Sequence, residues 1–176
     1  MSVPVDTATR FYDVAAALRD CAREALALTD AGVPADMRSC VVPGAIAWDT
    51  CQCGQLDVTA TSIFLSRQFP TAANGAESNC AAPYVVASMT VSVLRCAPTV
   101  DSRGNLPTCA QLDEATTAWA ADADAIREAV RCCLVNLVDT GVIAAYALGD
   151  QTPQGPEGGC VGSLQALSVG LNNACC

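Results

Sequence analysis

Histidine and lysine are both missing from this 176-residue sequence, and each absence closes off chemistry. Without histidine, Ser-His-Asp and Cys-His nucleophile arrangements cannot be built, nor can His-ligated zinc or iron sites. Without lysine there is no GxxxxGK[ST] phosphate loop, and all basic charge rests on arginine. Aromatic residues are scarce at 5%, against a hydrophobic content of 52%. The core must therefore be assembled from Ala, Val, Leu and Cys, small residues that let helices and sheet approach closely. No apolar run reaches the roughly 18–20 residues that span a bilayer. The first residues, MSVPVDTATRF, lack a basic region followed by an apolar core, so no signal peptide is expected. The expected site of synthesis is the cytoplasm, with no membrane partner.

What is present is acid and cysteine. A net charge of −9 argues against a nucleic-acid binder, which neutralises phosphates with clustered cations. It is compatible with DNA passing close by, because an acidic surface repels the polymer. Twelve cysteines form an even set, which invites a disulfide framework although no secretory signal supports one. A chain made reduced and later released into an oxidising medium can still acquire bridges. The candidate disulfide or structural cysteines are Cys40, Cys51, Cys53, Cys80, Cys96, Cys109, Cys132, Cys133 and Cys160.

The strongest pattern is a helix predicted from Cys109 to about Asp139. Leu112, Thr116, Trp119, Ala123, Ile126, Val130, Cys133 and Leu137 recur at alternating steps of four and three, one stripe of a helix. Thr108 and Gln111 make a capping box, and Gly141 supplies the stop. Asp113, Asp124, Arg127, Glu128 and Arg131 fall on the opposite face. A first amphipathic helix is expected over 6–30, with Phe11, Val14, Leu18, Ala22 and Leu26 on its apolar side and AGVP ending it.

Strands are expected at Ala45–Thr50, at Gln55–Ser66 with a bulge near Ser62, at Tyr84–Cys96, at Val142–Leu148 and at Ser163–Leu171. The stretches 69–83, 97–107 and 149–162 read as long loops, the last rich in Gly and Pro. The order α-β-β-β-α-β-β implies an α+β fold, two long helices packed on a mostly antiparallel sheet of about five strands. One domain over 1–176 is expected, with 1–5 and 172–176 as flexible ends.

Little in this pattern points to catalysis. Cys51-Gln-Cys53 with Cys132-Cys133 could form a four-cysteine zinc site, but vicinal cysteines chelate one metal poorly. A redox-active CxC lacks an adjacent base. Asp122 and Asp124 point to different sides of a helix, and Asp113 and Glu114 fit a helix start on dipole grounds alone. Neither an enzyme nor a cofactor is expected. Trp48 and Trp119 are the large anchors, suited to a core or an interface.

Several segments fall into a pattern: Val41-Val42-Pro43-Gly44 through Trp48, Cys51-Gln-Cys53-Gly54-Gln55-Leu56, Val93-Leu94-Arg95-Cys96-Ala97-Pro98, Cys132-Cys133-Leu134 and Gly155-Pro156-Glu157-Gly158-Gly159-Cys160. Over about residues 35–171 the chain resembles neck or tail-terminator proteins of long-tailed bacteriophages that infect actinobacteria. The resemblance implies a structural virion protein with no catalytic residues, located in the head–tail neck and assembled in the host cytoplasm. It implies a hexameric ring that caps the tail tube and meets two partners, the major tail tube protein and a head-side stopper or connector. DNA would pass through its lumen without specific binding. The long loops are the expected contacts, through Asp101, Arg103, Asn105, Gln151, Gln154 and Glu157. The alternatives are another neck component (an adaptor or stopper) or a cysteine-based redox or metal-binding protein.

Overall fold

A computed structural model describes residues 6–33, 37–44, 54–73, 82–157 and 159–172. Two helices, α1 (Asp6–Leu26) and α2 (Cys109–Asp139), accompany five strands: β1 (Arg38–Pro43), β2 (Gln55–Ser66), β3 (Tyr84–Cys96), β4 (Ala145–Glu157) and β5 (Cys160–Asn172). The class is α+β, as expected from the order of elements. The sheet is mixed, in the order β1-β2-β3-β5-β4, with β1 parallel to β2 and every other pair antiparallel. No helix among the described residues is long and apolar enough to cross a membrane.

Both helices cover the same face of the sheet. From α1 come Phe11, Val14, Ala15, Leu18, Ala22 and Leu26. From α2 come Ile126, Val130, Cys133 and Leu134. Leu56, Val58, Met89, Val91, Val93, Leu167, Val169 and Leu171 meet them from the strands. The alternation of β2 and β3 puts these strand residues in one phase, and the register pairs Leu56 with Val93 and Val58 with Val91. The phase of β2 slips between Ala60 and Ser62, where the expected bulge occurs. On the opposite face Phe69 stands edge-on to Tyr84, ring centroids 6.1 Å apart. Asp57, Thr59 and Ser92 are buried in the out-of-phase positions of β2 and β3.

Four expectations need correction. The helix α1 has 21 residues and ends at Leu26, so it falls well short of the 31 residues of α2. The Leu28 and Thr29 amides bond three residues back, to Ala25 and Leu26, and the Thr29 hydroxyl donates to the Leu26 carbonyl at 2.9 Å. These bonds satisfy the carbonyls of the helix end before the expected stop. The stretch after α1, where no strand is expected, contains β1, Arg38–Pro43, while the expected strand at 45–50 lies outside the described residues. The largest correction concerns 149–162, which is no loop: β4 runs on through Glu157 and β5 begins at Cys160. Proline and glycine are tolerated there because β4 is an edge strand and its ladder shifts register twice, between Leu148 and Gln151 and between Gln154 and Glu157. Finally, Asn172 is not part of a loose end, since it pairs with Tyr84 in the sheet.

Candidate functional site

The site is built at the N-terminal end of α2. Thr108 caps the helix as its sequence requires: its hydroxyl accepts from the Gln111 amide at 3.3 Å, and the Gln111 side chain accepts from the Thr108 amide at 2.9 Å. The first turns then run over an open groove of about 410 Å³. Leu112, Ala115, Thr116 and Trp119 form one wall. Ala97 and Pro98 after β3, with Pro153, Gln154, Gly155, Pro156 and Val161 from the β4–β5 hairpin, form the rest. None of these side chains titrates. The groove offers apolar contact and a few polar edges, with no acid–base pair or nucleophile.

Trp119 fixes the groove's inner end. Its indole N–H donates to the Gly162 carbonyl at 2.8 Å, which ties α2 to β5 and leaves the ring half-buried. Gly162 has to be glycine, because a Cβ there would lie 2.0 Å from the Val93 carbonyl oxygen.

Next to Trp119, inward of the groove, lies a buried ion pair that is not among the expected site residues. Arg95 donates through Nε and Nη2 to both carboxylate oxygens of Asp122, and Nη2 also donates to the Gly32 carbonyl at 2.6 Å. One guanidinium thus joins β3, α2 and the segment after α1. The Asp122 side chain is 2% exposed and that of Arg95 17%. A signal was available. Arg95 continues the inward phase of Met89, Val91 and Val93 on β3, and Asp122 falls between Trp119 and Ile126 on the helix stripe.

The expected contact residues do not share one environment. Asp101, Arg103 and Asn105 are exposed, in a turn that closes on itself: Asp101 Oδ1 accepts from the Arg103 and Asn105 amides at 2.8 and 2.9 Å, and Oδ2 accepts from the Asn105 side chain at 2.8 Å. These bonds, that from the Asn105 side chain foremost, hold the Asp101 carboxyl below its ordinary range. Gln154 lines the groove. Gln151 is a strand residue whose Nε2 donates to the Ala123 carbonyl at 2.7 Å, so it anchors β4 to α2. Glu157 is the last residue of β4 and pairs with Cys160.

The cysteines are dispersed. Cys96 is disulfide-bonded, and Cys160 is buried opposite it in the β3–β5 register. Cys40, Cys109 and Cys132 are exposed free thiols, and Cys133 is a buried one. Cys51, Cys53 and Cys80, with Trp48, lie outside the described residues. Cys132 and Cys133 do not converge on a common point, because Cys132 bonds Glu128 on the exposed face while Cys133 faces α1. Among the described residues no group of three or more His, Cys, Asp or Glu side chains is placed to hold a metal ion. No protein-family model matches the chain, and no curated protein matches it in sequence.

Proposed function

We propose that this chain is a structural virion protein, a tail terminator that caps the phage tail tube as a hexameric ring and joins it to the head connector. The observation that carries the proposal is the open apolar groove between the first turns of α2 and the β4–β5 hairpin. A closed ring is held by heterologous contacts, in which one patch on a subunit receives a different patch of the next. A recess lined by Leu112, Pro98, Pro153 and Pro156, without a titratable group, suits such a contact better than it suits catalysis.

Three further features agree with this role. The two-helix, five-strand α+β architecture is of the kind the resemblance implies. The net charge of −9 would let DNA slide through a lumen without adhering. The disulfide at Cys96 fits a protein made in a reducing compartment that later serves in an oxidising medium. The test is tube growth: purified protein added to polymerising tail tube protein should arrest elongation and remain on tube ends. Unchanged tube lengths at saturating protein would overturn the proposal.

A further inference from the structure

The seam between α1 and α2 brings thiols together that no part of the proposed role uses. Cys133 is buried, and its Sγ donates to the Ala17 carbonyl at 3.6 Å, which seats it against α1. Cys21 stands one helical turn beyond Ala17 on α1 and is half-buried, so it is the more open of the two. Both carry free thiols. Cys132 is turned away: its thiol donates to Glu128 Oε1 at 3.4 Å and accepts from Arg131 Nη2 at 3.6 Å on the exposed face.

We propose that Cys21 and Cys133 are an oxidisable pair that closes into a disulfide stapling α1 to α2, with a low-molecular-weight disulfide such as oxidised glutathione as the oxidant. The Cys21 thiol gives up its proton and attacks one sulfur of the small disulfide, and the displaced thiolate takes a proton to leave as a thiol. The mixed disulfide on Cys21 is then attacked by Cys133, which forms the Cys21–Cys133 bond and releases the second small thiol. Two protein thiols are oxidised and one small disulfide is reduced to two thiols. Burial, with the neighbouring Cys21 thiol adding to it, pushes the Cys133 thiol far above its ordinary range. The second step is therefore slow, and the staple closes over long exposure to an oxidising medium. Cys132 competes poorly, since Glu128 beside it pushes its thiol up as well. The bridge would span residues 21 to 133, a long loop whose closure restricts the unfolded chain strongly. This inference goes beyond the terminator role and does not depend on it.

The test uses the full chain, incubated for hours with oxidised glutathione, then denatured, alkylated and mapped by peptide mass spectrometry without reduction. The expected result is a cross-linked peptide pair containing Cys21 and Cys133, with a rise in Tm of roughly 5–15 °C. Cys132→Ser should keep both signatures, and Cys21→Ala, at a half-exposed position, should lose both. Alkylation of Cys21 and Cys133 after prolonged oxidation would overturn the proposal, as would Cys21 linked to Cys132 or a Tm rise that persists in Cys21→Ala.

Discussion

The two halves of α2 carry one continuous apolar stripe and meet different surroundings. In the C-terminal half, Ile126, Val130, Cys133 and Leu134 are buried against α1 and the sheet. In the N-terminal half, Leu112 is 47% exposed and the wall it belongs to faces open space. The stripe's period is the same in both halves, so period alone does not determine burial. What differs is the cover: α1 packs beside one half, while the β4–β5 hairpin and Ala97–Pro98 border an open groove along the other. The Arg95–Asp122 pair sits at the boundary between them. An apolar surface left uncovered on a monomer is where a partner is sought.

Removing the boundary should have the largest effect. Arg95→Ala leaves the Asp122 carboxylate buried without its partner, and a loss of about 3–5 kcal/mol is expected by chemical denaturation. Within the covered half, Ile126→Ala opens a cavity in the core and should cost about 2–5 kcal/mol in the same measurement. Thr108→Ala removes the capping hydroxyl and should cost about 1 kcal/mol. Leu112→Ala, in the uncovered half, should change monomer stability by no more than about 0.5 kcal/mol. If Leu112→Ala proved as costly as Ile126→Ala, the contrast between the halves would fail.

The smallest effect sharpens a different contrast, between the covered and opposite faces of the sheet. Asp57 is buried on the opposite face; Gln55 Nε2 donates to its Oδ2, and its Oδ1 has no partner among the described residues. Burial raises its carboxyl above the ordinary value of 3.8, against the smaller opposing effects of Gln55 and Arg38. A carboxyl raised in the folded state favours folding at low pH, and that contribution is lost as pH rises from 3.8 through the folded value. Asp57→Asn should therefore gain stability relative to the parent at pH 7, with the gain shrinking as pH falls towards 3.8. Thermal melts of both proteins across that window would show it.

Much of the fold was legible because local signals agreed with one another. The capping box at Thr108–Gln111, the stripe of α2 and the alternation of β3 each specify one element, and the structure has α2 at Cys109–Asp139 and β3 at Tyr84–Cys96. The β4–β5 hairpin was not legible, because Pro153, Gly155 and Pro156 argue for a loop until one knows that β4 is an edge strand. Strand β1 was hidden for a related reason: six residues ending in Pro43 carry no clear alternation, and their place depends on pairing with β2. The groove could not be seen at all, since it arises from elements distant in sequence. Arg95 and Asp122 were visible as charges in inward-facing positions, but only their meeting across β3 and α2 explains why each is there.

The most direct test of the terminator role is the native mass of the purified assembly, by light scattering or native mass spectrometry. Six copies of the 18.0 kDa chain are expected, a closed ring of roughly 108 kDa, and Leu112→Asp in the groove should break it into smaller species. A ring of twelve copies would contradict the terminator role and place the protein on the head side of the neck.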